Sequence, residues 1–271
     1  IGSEIRIRDT SKELYDWAQE NLIIPNPQYR ERERRGLWVG NTPKYLWLYH
    51  VDGSDLIVPI GVGKQIRQFL SDKDQISVHL ADNGVLDYKG TIPLYDYQKE
   101  AVEAMRHASC GILQSPCGSG KTQMGIALAA MLGRKVLWVT HTQDLLTQSN
   151  TRAEQYFSPE ILGTITAGKA QVGSHMTFAT VQTLCRIDLE QFRYTWDVVI
   201  VDECHRLAGS PTQVTMFYKV MNSLAARHKY GLSATVHRSD GMIKSTFAVL
   251  GPVIYKVPDE AVADKTMQVR I

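Results

Sequence analysis

The sequence lacks several features that would place it in a specialised class of proteins. Its four cysteines form no Cys-x-x-Cys pair, so the spacing of common zinc and disulfide scaffolds is absent. No apolar run approaches the length of a membrane span, and no charged-then-apolar leader opens the chain. The net charge is only +2, which argues against coating nucleic acid by bulk attraction but permits a local grip. We therefore expect a soluble cytoplasmic protein with reduced cysteines and no membrane partner.

What is present is an ordinary globular composition, with 44% hydrophobic and 21% charged residues among 271. This length exceeds that of a typical single domain, so we expect one large or two unequal domains. Residues 1–90 carry a mixed pattern of short elements, which predicts a small α+β accessory domain. Its predicted elements are a helix over 13–20, a hairpin of 44–50 with 56–60 around Asp52-Gly53, a helix over 63–70, and a hairpin of 76–80 with 85–88 around Asn83-Gly84.

From about residue 91 the pattern changes to continuous apolar segments that alternate with helical ones. Such alternation is typical of an α/β fold, in which helices cover both faces of a parallel sheet. Ligands of these sheets bind at the carboxyl ends of the strands. The predicted strands are 112–114, 136–140, 175–180, 198–202 and 230–233, and the predicted helices are 98–106, 121–132, 143–156 and 214–226.

The segment Leu113-Gln-Ser-Pro-Cys-Gly-Ser-Gly-Lys-Thr122 joins a predicted strand to a predicted helix. Gly118 and Gly120 permit backbone conformations that turn successive N–H groups toward one anion at a helix N-terminus. Lys121 is then placed to reach the outer phosphates of a nucleotide, and the Thr122 hydroxyl to bind Mg²⁺. The usual pattern begins with glycine where this chain has Ser115. The predicted nucleotide-binding residues of this loop are Ser115, Cys117, Gly118, Ser119, Gly120, Lys121 and Thr122.

A second stretch, Asp202-Glu-Cys-His205, follows a strongly apolar predicted strand. Two carboxylates at the carboxyl end of such a strand suit nucleotide hydrolysis, with Asp202 binding Mg²⁺ and Glu203 orienting and deprotonating the attacking water. The alternative is a pair of carboxylates on a solvated loop. His205 is interpreted as functional because of its neighbours, although a lone histidine is more often structural. Together with Lys121, these three residues form the predicted catalytic set.

Three motifs occur in the order found in one family: Gly118-x-Gly-Lys-Thr122, Asp202-Glu-Cys-His205 and Gly231-Leu-Ser-Ala-Thr235. They resemble a superfamily 2 helicase or translocase of the Asp-Glu-x-His type, and more narrowly the group of type III restriction helicase subunits, XPB-like translocases and phage UvsW-like helicases. The resemblance implies a RecA-like lobe over residues 91–255 and ATP hydrolysis coupled to movement on nucleic acid, with ATP and Mg²⁺ as cofactors. It favours DNA over RNA and a prokaryotic or phage source.

The segment Leu94-Tyr-Asp-Tyr-Gln98 matches that group's adenine-recognition segment. It departs from the usual pattern at Tyr95, where Arg is usual, and at Asp96, where Pro is usual. The match implies that Gln98 reads the adenine edge and that Tyr95 or Tyr97 stacks near it. A surface glutamine at the start of an amphipathic helix is the alternative.

The third motif implies a role for Ser233 and Thr235 in sensing the γ-phosphate and passing that state to Asp202 and His205. In the family, its strand lies between the strand of the phosphate loop and the strand of the acidic pair. Residues 236–241 resemble the motif's continuation, with Val236 in place of Pro. A buried strand with small hydroxyl residues is the alternative.

Residues 138–148 and 179–184 are similar to the group's motifs Ia and Ib, which line the track of one nucleic-acid strand. The similarity implies phosphate contacts by Thr140, His141, Gln182 and Thr183, a grip that carries no base information. Ordinary strand-end and capping residues are the alternative at these positions.

The residues after Thr235 are too few for another RecA-like lobe. In the family a second lobe closes over the nucleotide and supplies arginine fingers. We therefore expect residues 256–271 to be a linker toward such a lobe, and the isolated chain to bind ATP weakly with little turnover. Two rival interpretations stay open: a P-loop ATPase that remodels protein partners, and a nucleotide-regulated nucleic-acid-binding module.

Residues 29–47 combine five basic residues with four aromatic ones. Such a mixture supplies phosphate contacts and base stacking in single-strand-binding proteins. Glu31 and Glu33 alternate with the arginines, however, so a solvated and self-paired segment is an equally good interpretation. The basic and aromatic residues are Arg30, Arg32, Arg34, Arg35, Lys44, Tyr29, Trp38, Tyr45 and Trp47.

Overall fold

The computed structural model describes residues 1–71, 74–166, 168–236 and 241–262. The first elements are β1 (Glu4–Ile7), α1 (Lys12–Asn21), β2 (Ile23–Pro25), α2 (Pro27–Arg34), β3 (Tyr45–Trp47), β4 (His50–Asp52), β5 (Asp55–Pro59) and α3 (Gly63–Arg67). They are followed by α4 (Asp96–Arg106), β6 (Cys110–Gln114), α5 (Lys121–Leu132), β7 (Val136–Thr140), α6 (Gln143–Glu154), β8 (Leu162–Thr166), β9 (Lys169–Gln171), β10 (Met176–Thr180), α7 (Val181–Arg186), β11 (Val198–Val201), α8 (Pro211–Ser223), β12 (His228–Ser233), α9 (Ile243–Leu250) and β13 (Val253–Lys256).

The second group of elements forms an eight-stranded sheet in the order β13-β6-β12-β11-β7-β10-β8-β9. All neighbours in it are parallel except β9, which pairs antiparallel with β8. The predicted α/β architecture and its five strands are confirmed, as is the position of β12 between β6 and β11. The register sets Val201 beside both Gly231 and Val139, so the carboxyl ends of the central strands meet at one edge.

The central strands are buried because helices cover both faces of the sheet. Alternate side chains point to opposite faces, so Ile200 packs with Trp138 under α4, α5 and α6, whereas Val201 packs with Phe217 under α7, α8 and α9. At Gly125 a Cβ atom would lie 2.7 Å from the Trp138 ring, so glycine allows α5 to sit this close to the sheet. None of the helices in the described ranges has both the length and the apolar character that a bilayer crossing requires.

The amino-terminal elements form a three-stranded antiparallel sheet, β1-β5-β4, and a separate pair, β2-β3. The turn predicted at Asp52-Gly53 is confirmed, since β4 pairs with β5 around Gly53 at φ +63°. The predicted strand over 44–50 is only partly right, because Tyr45–Trp47 forms β3, which pairs with β2 rather than with β5. α1 and α3 confirm the two predicted helices. These elements share a hydrophobic cluster with Val214 of α8 and Ala248 of α9. At Gly61 a Cβ atom would lie 2.5 Å from the Ala248 carbonyl oxygen. The division into residues 1–90, 91–255 and 256–271 stays a prediction; residues 263–271 lie outside the described residues.

The hairpin predicted for residues 76–80 and 85–88 is wrong, because neither segment forms a strand. The backbone of this region bonds to other parts of the chain instead of to itself: His79 N donates to Ile1 O at 2.7 Å, and the later residues bond to the large sheet unit. Ala81 N donates to Ala225 O at 2.8 Å, and Leu86 N donates to Gly133 O at 2.8 Å. Gly84 has the left-handed φ of +79° that such a turn requires, but no turn forms at Asn83-Gly84; the buried Asp197 carboxylate fixes the backbone here by accepting from Asn83 N at 2.8 Å.

Candidate nucleotide-binding site

The loop between β6 and α5 wraps around an open cavity at the carboxyl edge of the sheet. Gly118 and Gly120 both have left-handed φ angles, +79° and +82°, which favour glycine. At Gly120 a Cβ atom would also lie 2.5 Å from Gln98 Nε2. The cavity has a volume of about 310 Å³ and is lined by Gly118, Gly120, Lys121, Thr122, Gln123, Leu145, Gln148, Arg152, Asp202 and Glu203.

Lys121 begins α5 and is only 8% exposed at the wall of this cavity. Its Nζ lies 3.4 Å from Ser115 O and 3.5 Å from Glu203 Oε1. A cation held this way, beside free backbone N–H groups at a helix N-terminus, suits an anion with several oxygens. The loop residues therefore fit the polyphosphate of a nucleotide.

Asp202 follows β11 directly and is only 4% exposed. Its Oδ2 lies 3.5 Å from the hydroxyls of Thr122 and Ser149, and its Oδ1 accepts from Glu203 N at 3.0 Å. Burial, and then the charge of Glu203, raise the pKa of Asp202 to about 6. A carboxylate and a hydroxyl that converge in this way are the oxygen ligands that Mg²⁺ prefers.

Glu203 has φ +48°, a left-handed conformation that is uncommon outside glycine and concentrates at functional sites. This backbone places its carboxylate between two nitrogen groups. Oε1 lies 3.5 Å from Lys121 Nζ, and Oε2 lies 3.3 Å from His205 Nδ1. The carboxylate therefore faces the cavity, and the solvated-loop alternative does not describe this pair.

A chain of contacts joins the acidic pair to the phosphate loop through β12. His205 Nδ1 lies 2.8 Å from Ser233 Oγ, and Ser233 Oγ accepts from Thr235 N at 3.2 Å. Ser115 N in turn donates to Ser233 O at 2.9 Å. The structure thus brings Ser233, Thr235 and His205 together, while their role in sensing a phosphate stays a prediction. Residues 237–240, which continue this motif, lie outside the described residues.

Some of the predicted nucleotide-binding side chains are used inside the loop. The hydroxyls of Ser115 and Ser119 lie 2.6 Å apart and are buried, whereas Cys117 is exposed. Gln98 is buried, so the surface alternative is wrong. Its side-chain oxygen accepts from Tyr95 N at 2.9 Å, and its nitrogen donates to Ser119 O at 2.8 Å.

Tyr95 and Tyr97 lie beside the loop. Their rings stack with centroids 5.9 Å apart and an interplanar angle of 11°. Tyr95 is exposed, and the hydroxyl of Tyr97 donates to Ser119 O at 3.0 Å. Tyr95 thus presents an exposed ring next to the phosphate loop, while its stacking on a base stays a prediction.

The predicted nucleic-acid residues lie together at the ends of β7 and β10. Thr140 is wholly buried and donates to Thr142 O at 3.0 Å, so its hydroxyl does not reach the surface. Gln182 Nε2 donates to His141 O at 2.9 Å, and the hydroxyl of Thr183 lies 2.9 Å from that of Thr180. The bond between Gln182 and His141 joins the two loops, whereas the other two contacts lie within one loop each. Phosphate binding by these residues stays a prediction.

Sequence reasoning missed the contribution of α6 to the site. Ser149 is buried against Asp202, and Gln148 and Arg152 line the cavity. Thr142 caps this helix by accepting from Leu145 N at 3.3 Å. The helical period starting from that cap places residues 145, 148, 149 and 152 on one side of α6, and this was the available signal.

We expect a Gln98→Ala variant to lower the free energy of unfolding by about 2 kcal/mol, because the Tyr95 N–H loses its partner. If Gln98 also reads adenine, the same variant loses more affinity for ATP than for GTP, because only the loss of its contact with Ser119 affects both nucleotides. Thermal unfolding and nucleotide titrations measure the two effects. The control is Gln65→Ala, which changes an exposed glutamine on α3. If the ratio of ATP affinity to GTP affinity stayed the same in Gln98→Ala, Gln98 would have a positioning role only.

Comparison with known proteins agrees with this geometry. Residues 91–238, more than half of the chain, match the family described as type III restriction enzyme, res subunit. The chain is 32% identical over 207 residues to "DNA 3'-5' translocase XPB2" of Sulfurisphaera tokodaii, covering 74% of this chain and 45% of that protein. It is 26% identical over 181 residues to "DNA 3'-5' helicase XPB" of Mycobacterium tuberculosis, covering 61% and 30%. The chain thus spans less than half the length of these relatives.

A solved structure also resembles the chain over nearly its whole length. The UvsW helicase from bacteriophage T4 superposes with a TM-score of 0.67 at 20% identity, covering 94% of this chain and 97% of that one. This likeness confirms the predicted RecA-like α/β fold, and the family match confirms the resemblance to superfamily 2 helicases. The chain belongs to the type III restriction enzyme res subunit family.

Proposed function

We propose that this chain is the ATP-binding part of a DNA helicase or translocase, in which ATP hydrolysis drives movement along DNA. The observation that supports this most is the convergence of Lys121, Thr122, Asp202 and Glu203 on one cavity. A cation for phosphates, two oxygen ligands for a metal and a second carboxylate are the groups that phosphoryl transfer to water needs.

Each of these residues has a distinct proposed role. Bound Mg²⁺ would neutralise charge on the phosphate oxygens. Thr122 and Asp202 hold the metal, and Lys121 holds the outer phosphates. Glu203 orients the attacking water and accepts its proton, since its backbone turns the carboxylate into the cavity. Ser233 and Thr235 of the β12 segment sense the γ-phosphate and pass its presence to His205 through the contact between Ser233 and His205.

The proposed track for nucleic acid crosses the ends of β7 and β10. Backbone and side-chain groups of motifs Ia and Ib contact phosphates there, which suits movement without regard to sequence. DNA is the proposed substrate because the relatives described above are DNA translocases and helicases by name. A second RecA-like lobe is the proposed partner that completes the hydrolytic site.

The proposal is tested by ATP hydrolysis in the full-length protein, with single-stranded DNA, duplex DNA or RNA added in turn. We expect DNA to accelerate hydrolysis more than RNA does, and this chain alone to turn over slowly. A Glu203→Gln preparation purified in parallel measures contaminating activity. Hydrolysis that ignores nucleic acid but responds to a protein would favour the remodelling ATPase, and binding without any Glu203-dependent hydrolysis would favour the regulated binding module.

A further inference from the structure

A second surface of the molecule has the character of a nucleic-acid site and lies outside the nucleotide cavity. It consists of α2, the loop that follows it, and β3, and we call it the Trp38 surface. Backbone hydrogen bonds hold these parts together: Asn26 N donates to Lys44 O at 3.0 Å, and Leu37 N donates to Arg32 O at 2.9 Å. The surface therefore has a defined shape.

Three aromatic side chains project from this surface into solvent. Trp38 is 85% exposed, Trp47 is 55% exposed and Tyr45 is 41% exposed. Tyr45 and Trp47 share the outer face of β3, because side chains alternate along a strand and Leu46 between them packs into the core. Large rings left in water on one side of a small module indicate a binding surface.

The charges of the Trp38 surface are mostly unpaired. Within the described ranges, Glu31 pairs with Arg35 at 2.7 Å, and Arg30, Arg34 and Lys44 have no carboxylate within 4.0 Å. The interpretation of this segment as solvated and self-paired therefore explains the pair of Glu31 with Arg35 but not the other three cations. Lys44 Nζ lies 5.8 Å from the centre of the Tyr45 ring, so a cation stands directly beside an exposed aromatic face.

We propose that the Trp38 surface binds single-stranded nucleic acid, as a second contact outside motifs Ia and Ib. Exposed rings stack on bases of any sequence, and neighbouring cations bind the phosphates between them. A duplex keeps its base faces covered, so it offers these rings nothing to stack on. The surface also borders the large unit, because Pro43 lines a shallow cavity with Pro211 and Thr215 at the start of α8, the helix after the acidic pair.

Oligo(dT) binding to this chain tests the proposal, with tryptophan emission and the anisotropy of a labelled strand as readouts. Trp138 and Trp196 are buried and Trp17 of α1 is half-buried, so quenching by the oligonucleotide reports mainly on Trp38 and Trp47. We expect Trp38→Ala with Trp47→Ala to abolish the quenching and to weaken binding about tenfold for each ring. Affinity falls as the salt concentration rises. Replacing Arg30, Arg34 and Lys44 by Ala should make the slope of log affinity against log salt shallower by about 2.

The matched control is Lys64→Ala with Arg67→Ala, which removes two exposed charges from α3 of the same module. Thermal unfolding verifies that each variant folds. Failure of this chain to bind oligo(dT), wild-type affinity in the tryptophan variant, or equal binding of duplex and single strands would overturn the proposal. Nucleotide binding is measured on the same variants and should be unchanged, since none of these residues lines the nucleotide cavity; the outcome here is therefore independent of the proposed ATPase function.

Discussion

An Asp202→Asn variant is expected to be more stable than the wild type without ligand, by up to about 3 kcal/mol at pH 8. In the fold the pKa of Asp202 is raised from 3.8 to about 6, first by burial and then by the charge of Glu203. The folded protein therefore keeps a proton that the unfolded chain releases between these two values. Wild-type stability falls as pH rises through that window and stays lower above it. Asparagine has no proton to release, so the variant does not lose stability in this way. A pKa difference of one unit between the folded and unfolded states corresponds to about 1.4 kcal/mol of stability.

The same substitution should remove the stabilisation that Mg-ATP gives to the wild type, because one of the two proposed metal ligands is lost. Denaturant unfolding at pH 4.5 and pH 8, with and without Mg-ATP, measures both effects. The difference in free energy of unfolding between the variant and the wild type should be larger at pH 8 than at pH 4.5. Asp197→Asn is the matched control: Asp197 is also buried, but it accepts from Asn83 N and Lys135 N, so its replacement should destabilise the protein. A variant with wild-type stability at pH 8 and full Mg-ATP stabilisation would contradict the assigned role.

Such a site gains function at the expense of stability. Asp202 and Glu203 place two carboxylates at the end of one strand, with the Lys121 ammonium group 3.5 Å from Glu203. In the ligand-free protein this arrangement is unfavourable, as the raised pKa of Asp202 indicates. A bound metal with its triphosphate would offset that cost. The strained φ of Glu203 adds a second local cost at the same place.

Local signals predicted the elements that frame the site. The predicted helix over 121–132 coincides with α5 because Gly120 and Gly133, both left-handed, end the helical conformation on either side. The predicted strand over 136–140 coincides with β7 because a continuous apolar run covered on both faces has little freedom to shift. In these places the residues that decide the structure are neighbours in sequence.

Other features depend on contacts between distant residues, and sequence reasoning missed or misread them. Asp197 accepts from the backbone N–H of Asn83, which lies 114 positions away, so the segments on either side of Asn83 are held without pairing with each other. The short strands β8, β9 and β13 are stabilised by a neighbouring strand rather than by their own pattern. Gln98 is turned inward by Ser119, 21 positions away. The part played by Ser149 depends on how α6 packs over β11.

A Lys121→Ala variant is expected to bind ATP roughly a hundredfold more weakly than the wild type. Lys121 is buried at the cavity wall, and a hydrogen bond from a charged group contributes about 1.5 to 3 kcal/mol. Loss of bonds to two phosphate groups therefore costs about 3 kcal/mol, or a factor of about 10². The change also removes a charge that lowers the pKa of Asp202. Proton release from Asp202 should then shift to higher pH, and the pH at which Mg²⁺ begins to bind should rise with it.

Titration of the chain with a fluorescent ATP analogue, at several pH values and with or without Mg²⁺, measures both consequences of the Lys121 change. Lys99→Ala on α4 is the control, because Lys99 is an exposed lysine on the neighbouring helix, paired with Asp96 at 2.8 Å. The control should bind the analogue as the wild type does. If Lys121→Ala kept wild-type affinity while remaining folded, the cavity at the end of β6 would not be the phosphate site, and the proposed ATPase would lose its main support. A separate outcome is a fall in affinity for the analogue in Lys121→Ala without any change in the pH dependence of Mg²⁺ binding. That result would mean that Lys121 holds phosphates without acting on Asp202, and it would reject the coupling between these two residues while leaving the phosphate site in place.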